Sequence, residues 1–306
     1  MTRRTPRRRS LLLLLLPALL LTPAGCGSDD DDAADATSTT TARPAAAAER
    51  IVSLSSVATE ILFAIGAGDS VVAVDDQSNF PPEAPRTDLS GFQPNIEAVA
   101  GYDPDLVVIS YDPGELRSGL EDLGIAVLVH DAARTLEDTY VQIRELGGIT
   151  DRAEEAEDLV ESMQQEIDEV RATVPDHTEG LTYYHELDES LFSITSDTFL
   201  GEIYGLLGMA SIADAVPDQA GGYPQLSAEF VIEADPDVIF LADTKCCGQS
   251  ADTVAARAGW SEITAVRRGA VVALDDDIAS RWGPRVVDLL RAVVDHLDEL
   301  EPAGAG

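Results

Sequence analysis

An α/β chain of two similar lobes, each with a mainly parallel sheet, joined by one long α-helix, is the fold class the sequence predicts. Three observations predict it. From Arg50 onward short β-branched runs alternate with helical stretches. A pattern built around an Asp-Pro-Asp triplet occurs twice at a fixed offset. Between the two copies, apolar residues recur at helical spacing from Ala153 to Val170.

The runs at 51–54, 71–74, 106–109 and 126–129 are continuous and apolar, the pattern of strands buried on both faces. They assign residues 50–150 to a first doubly wound, Rossmann-like lobe. Asp151 with Glu154 matches a capping box, and Ala153, Ala156, Leu159, Val160, Met163, Ile167 and Val170 share one helical face. A connecting helix is therefore expected over 151–174; about 23 residues of it would run roughly 35 Å. A connector of that kind resists bending, so modest opening and closing is expected. Runs at 181–186, 238–241 and 270–274 assign 175–306 to a second lobe of the same plan. It closes with an amphipathic helix carrying Val286, Val287, Leu290, Val293, Val294 and Leu297.

The two halves can be superposed in sequence. Glu97 precedes Asp103-Pro104-Asp105 and a strand starting at Leu106; Glu229 precedes Asp235-Pro236-Asp237 and a strand starting at Val238, each 132 residues later. Each triplet ends a helix, because proline disfavours the α conformation in the preceding residue and cannot donate the next backbone bond. Earlier in each half, Glu60-Ile61 with Gly66 recurs as Glu202-Ile203 with Gly208.

Composition narrows the function. The chain has 306 residues, 56 acidic against 20 basic, for a formal charge of -36. The first 25 residues hold five arginines and no acid; without them 15 basic residues face 56 acidic ones, a charge of -41. Nucleic acid is excluded as a partner, since its binding rests on neutralising phosphates with Lys and Arg. After residue 25 no apolar run approaches the roughly 20 residues that span a bilayer. Arg3, Arg4, Arg7, Arg8 and Arg9, then Leu11 to Leu21, then Thr22-Pro23-Ala24-Gly25 read as an export signal over 1–25. The Ala-Gly-Cys ending resembles a bacterial lipobox, with Pro23 where Leu is usual, which makes Cys26 the expected lipidation site and sole membrane anchor. Arg8-Arg9-Ser10-Leu11-Leu12 also resembles a twin-arginine signal, but the very apolar core favours general secretion. Residues 26–49, with Asp29 to Asp32 and a Thr run, lack periodicity and aromatics and read as a disordered tether. Its root-mean-square reach is about 27 Å.

Ligands of doubly wound sheets bind beyond the carboxyl ends of the strands. The positions so placed are Ser55 and Ser56, Asp75 and Asp76, Ser110 and Tyr111, His130, Tyr183 to His185, Lys245 to Cys247, and Asp275 to Trp282. They contain no catalytic set. Neither a Gly-rich phosphate loop, nor a nucleophile elbow, nor a zinc-protease motif occurs in the chain. Four histidines form no short-spaced metal pair; His130 and His185 could meet across a cleft, but no metal site or cofactor is assigned. Adjacent Cys246 and Cys247 could close a disulfide or remain two partly buried thiols. Arg281 and Trp282, beside acids at a sheet mouth, suit a large ligand with planar and polar parts; Trp282 could equally seat the last helix.

Taken together, Ile51-Val52-Ser53-Leu54 with Thr59-Glu60-Ile61-Leu62, Gly66-Ala67-Gly68-Asp69, Pro94-Asn95-Ile96-Glu97 before Asp103-Pro104-Asp105, and Ser227-Ala228-Glu229 before Asp235-Pro236-Asp237 resemble the substrate-binding lipoproteins of ABC importers for ferric siderophores and vitamin B12. The resemblance spans nearly all of 50–300. It implies the helical-backbone periplasmic-binding fold, no enzymatic activity, a monomer, and a metal chelate carried to an ABC permease dimer with its ATPase. It further implies that Glu97 and Glu229 dock on permease arginines. Phe80, Phe92, Tyr111, Tyr223, Asp277 and Arg281 fall at ligand-contacting positions of such proteins, with a core role open for Phe80 and Phe92. At -41 the mature chain repels polyanions, which favours a corrinoid or a hydroxamate chelate over a triply anionic catecholate. An extracellular hydrolase using Asp76 and Asp277, or an adhesion protein, are the rival readings. Haem is the least favoured ligand.

Overall fold

The computed structural model describes residues 46–217 and 220–300. The export signal, Cys26 and most of the tether lie outside the described residues.

The first half runs β1 (Ile51–Leu54), α1 (Ser56–Ala64), β2 (Val71–Asp75), β3 (Arg86–Leu89), α2 (Ile96–Ala100), β4 (Leu106–Ile109), α3 (Leu116–Asp122), β5 (Ala126–Val129) and α4 (Leu136–Ile149). Helix α5 (Ala153–Arg171) leads to β6 (Thr182–Glu186), α6 (Phe199–Gly205), β7 (Ala210–Ser211), α7 (Ala228–Ala234) and β8 (Val238–Leu241). The chain then forms α8 (Thr244–Cys247), α9 (Ala251–Ala255), α10 (Thr264–Arg267), β9 (Val271–Ala273), α11 (Asp276–Ala279) and α12 (Val286–Glu299). Two sheets result, ordered β3-β2-β1-β4-β5 and β7-β6-β8-β9, and every pairing between these strands is parallel. The strand order reverses between β1 and β4 and again between β6 and β8, which makes those carboxyl ends the expected ligand positions.

Period-two alternation fills two core layers. Ile51, Leu106 and Val108 face the large core, while Val52, Leu54, Val107 and Ile109 face a smaller one on the other side of the first sheet. The large core continues through Ala156, Val160, Met163 and Ile167 of α5 and Val286, Leu290, Val293 and Leu297 of α12 into the second sheet. One apolar body therefore joins both halves behind the strand ends.

The repeated triplet has a structural purpose that accounts for each residue. Asp103 and Asp235 adopt left-handed backbone conformations, φ 53° and 47°, that stop the helices before them. Pro104 and Pro236 are buried. Asp105 accepts from the Glu49 and Arg50 amides ahead of β1 at 2.9 and 3.2 Å, and Asp237 accepts from the Thr182 amide and hydroxyl of β6 at 2.9 and 3.0 Å. In each sheet the last Asp thus fastens the neighbouring strand's first residues.

The connecting helix is shorter than the expected 151–174, and its start is built differently. Asp151 does not cap it: φ is 58°, and the residue completes the end of α4, where the Arg152 amide reaches back to the Gly147 carbonyl at 2.8 Å. The turn is tight because a Cβ on Gly147 would stand 2.4 Å from that of Ala156. Helix α4 instead carries the capping box, between Thr135 and Asp138. Among the described residues no helix is long and apolar enough to cross a membrane.

Candidate functional site

The carboxyl ends of the two sheets meet at a chain of charges. In the mostly apolar helix α1, Glu60 faces inward, 3% exposed. Its carboxylate accepts from Arg281 Nη1 at 2.7 Å and from Arg285 Nη2 and Nε at 2.7 and 3.1 Å. Arg281 follows α11 of the second half yet also donates to the Gln77 carbonyl at 3.0 Å and Asn79 Oδ1 at 2.9 Å, both beyond β2 of the first. Its remaining bond goes to Asp277 at 3.0 Å, which in turn accepts from Lys245 at 2.8 Å. Burial pushes the Asp277 carboxyl up, but Lys245, Asn79 and Arg281 together hold it below the usual range. The sequence-equivalent Glu202 of α6 crosses in the opposite sense, accepting from the Leu136 amide at the start of α4 at 2.8 Å. Each half thus sends one buried or half-buried glutamate to the other.

Trp282 is half-buried, packs on the core, and donates from Nε1 to Gln142 Oε1 at 3.1 Å, while its carbonyl accepts from Thr139 at 2.8 Å. These contacts fasten the segment before α12 onto α4. Arg281 is 8% exposed and its guanidinium is engaged by protein on both amino groups. The aromatic candidates behave differently. Phe80, Phe92, Tyr111 and Tyr223 are exposed, and they are four of the six large hydrophobic side chains that are exposed among the described residues. Phe80 follows β2, with the Arg285 guanidinium 4.3 Å from its ring centroid. Phe92 and Tyr111, beyond β3 and β4, have centroids 6.5 Å apart, and the Tyr111 hydroxyl donates to the Phe92 carbonyl. Tyr223 lies in the loop before α7; burial of its phenol raises the pKa, against the pull of Arg134. A core role for Phe80 and Phe92 is not what their exposure fits.

Other carboxyl-end positions turn inward. Tyr183, Tyr184 and His185 lie within β6, not beyond it, and His185 is fully buried against the Tyr204 hydroxyl at 2.9 Å, where burial lowers its pKa to about 3. His130 pairs with Glu145 at 3.1 Å, so the two histidines have separate partners and do not form a site. Asp76 is exposed and Asp277 is held as an ion-paired anion, so they make no acid and base pair for hydrolysis. Cys246 and Cys247 are joined in a disulfide on α8, whose first three amides all donate to Asp276. Fully buried Glu186 takes both amino groups of Arg257, and the neighbouring Asp243, itself fully buried, has its pKa raised to about 7 by burial and then by Glu186.

Glu97 and Glu229 are both exposed. Each is the second residue of a short helix whose first turn is capped by a side chain, Asn95 to the Ala98 amide and Ser227 to the Phe230 amide. Among the described residues neither carboxylate has a hydrogen-bond or ion-pair partner.

Sequence alone gives Arg285 no role and marks Glu60 only as part of a repeat. An acid inside the apolar run SVATEILFA is the available signal for Glu60. Nothing in the sequence marks Arg134.

A family model described as "Periplasmic binding protein" matches residues 51–278. An uncharacterised ABC transporter substrate-binding lipoprotein of Bacillus subtilis (strain 168) is 31% identical over 250 residues, covering 78% of this chain and 77% of that protein. A cobalamin-binding protein of Halobacterium salinarum (strain ATCC 29341 / DSM 671 / R1) is 31% identical over 258 residues, 78% of this chain and 67% of that one. The crystal structure of a periplasmic vitamin B12-binding protein of Vibrio cholerae superposes with a TM-score of 0.68 at 28% identity, covering 82% of this chain and 97% of that one.

Proposed function

Because the chain belongs to the periplasmic binding protein family, we propose that it captures a bulky metal chelate at the facing carboxyl ends of its two sheets and delivers it to an ABC permease dimer with its ATPase. It is a substrate-binding protein and not an enzyme. The observation that carries the ligand reading is the set of four exposed aromatics, Phe80, Phe92 and Tyr111 beyond strands of the first half and Tyr223 in the loop before α7, since large apolar side chains left in water mark a binding surface. They come from both halves, as contact with one large guest requires.

The favoured guests are a cobalamin-like corrinoid and a neutral ferric hydroxamate. A net charge of -36 for the whole chain opposes a polyanionic catecholate, and two of the arginines that follow the strand ends, Arg281 and Arg285, are already committed to Glu60. Similarity to the cobalamin-binding protein of Halobacterium salinarum and to the vitamin B12-binding protein of Vibrio cholerae supports the corrinoid. The protein is read as a monomer outside the cytoplasm, held to the membrane by a lipid on Cys26, with Glu97 and Glu229 as its two permease contacts.

Calorimetric titration with cyanocobalamin, ferrioxamine B and hemin tests the ligand reading. Saturable one-to-one binding of one of the first two, with the guest recovered unchanged, is expected. Saturation by none of the three, or chemical turnover of a bound guest, contradicts it.

A further inference from the structure

The seam between the halves holds a second polar feature besides the Glu60 cluster. A cavity of about 320 Å³ is lined by Arg134 of the first half and by Thr195, Ser196, Asp197, Asp214 and neighbouring residues of the second. Of the cationic side chains among the described residues, Arg134 is the one with neither a hydrogen bond nor an ion pair. Asp197, in the same cavity, also has no side-chain partner, and the two do not pair with each other.

Both side chains are free, and the backbone is held at Arg134 and at Ser196, next to Asp197. The Arg134 amide donates to Asp138 Oδ2 at 2.9 Å, and two residues later the Leu136 amide donates to Glu202 of the opposite half at 2.8 Å. On the other wall, Ser196 is held to Asp214 through both its amide, at 2.8 Å, and its hydroxyl, at 2.6 Å. Asp214 is thereby spent on the loop, which leaves Asp197 as the acceptor. Held backbone at Arg134 and beside Asp197 confines the ordering cost of binding a third group to the side-chain rotamers.

The chemistry of that group follows from the two heads. An anion would satisfy Arg134 but face Asp197 and Asp214 as like charges; a cation would reverse the conflict. A primary carboxamide satisfies both at once, its carbonyl accepting from the guanidinium and its NH2 donating to the carboxylate. We infer that Arg134 and Asp197 form a carboxamide-reading subsite at the seam between the halves, specific for a guest with an uncharged, amide-bearing periphery. This deepens the proposed function and rests on it. A corrinoid ringed with carboxamides fits the subsite; hemin, whose edge carries carboxylates, does not. Tyr223, exposed and under the influence of Arg134, supplies the adjoining aromatic surface.

The test compares cyanocobalamin with its monocarboxylic acids, in which one peripheral amide is hydrolysed, on the full protein and on Arg134→Gln and Asp197→Asn. Wild type is expected to bind at least one monoacid isomer about 10-fold or more weakly than the parent, and Arg134→Gln to bind the parent about 10- to 100-fold more weakly. In Asp197→Asn the discrimination against that monoacid should shrink toward unity, a change of ratio that general loss of structure does not produce. Equal wild-type affinity for the parent and every monoacid overturns the subsite, as does an unaltered ratio in Asp197→Asn. Saturation by ferrioxamine B but by no corrinoid overturns the subsite and leaves the proposed function standing. Saturation by none of these guests overturns both.

Discussion

Replacing Glu60 with alanine is expected to destabilise the folded protein by about 3–5 kcal/mol, because it leaves two guanidinium groups at the seam without their shared counter-charge. Arg281 is 8% exposed and Arg285 is partly buried beside Phe80, so water cannot solvate either as it would at an open surface. Arg281 would keep only Asp277, Asn79 and one carbonyl. Urea unfolding followed by circular dichroism gives the magnitude from the midpoint shift at constant slope. Replacing Glu60, Arg281 and Arg285 together with apolar residues of similar volume should recover most of the loss, since the desolvation cost disappears with the charges. A loss below about 1 kcal/mol for Glu60→Ala, within the range of surface ion pairs, would mean that the cluster is effectively solvated.

Reversing both exposed glutamates, Glu97→Lys with Glu229→Lys, is expected to abolish uptake while leaving ligand affinity unchanged. The two residues occupy the same cap-relative position in α2 and α7, lie 132 residues apart, and have no partner among the described residues. A charge that pairs in a docked complex loses about 2–5 kcal/mol when removed, and reversal adds repulsion. Each single variant should therefore slow uptake by roughly 30-fold or more, and the double variant should fall to background. Uptake by cells expressing the cognate permease, set beside calorimetric ligand binding of the purified variants, reads both quantities. Normal uptake by the double variant would remove these residues from the docking face.

Much of the architecture was legible because its signals are local or repeated. Every continuous β-branched run became a strand, with the first sheet's β1, β4 and β5 at the residues expected. The Asp-Pro-Asp copies stood out because sheet closure needs a stop, a proline and a strand-fastening carboxylate in that order. The buried stripe of α12 was legible for the same local reason. Strands β3 and β7 were not. Arg-Thr-Asp-Leu and a two-residue Ala-Ser run lie at sheet edges, where half the side chains meet water and the apolar signal fades. Asp151 misled because a residue that suits a helix N-cap also suits the left-handed end of the preceding helix.

The candidate site divides along the same line. Tyr111 could be anticipated from its place after a predicted strand, whereas Phe80, Phe92 and Tyr223 entered through the family resemblance. The engagement of Arg281 with a glutamate 221 positions earlier could not, since nothing local encodes that meeting. Trp282 had two equal readings, ligand contact or a seat for the last helix, and its indole nitrogen is taken by Gln142.

A guest held between the halves must touch both of them at once. Hydroxyl-radical footprinting of the protein with and without the saturating ligand tests it most directly, by reporting the oxidation of individual aromatic side chains. Protection of Phe80, Phe92 and Tyr111 together with Tyr223 is the predicted result. Protection confined to one half, or unchanged oxidation of all four at saturation, would contradict it.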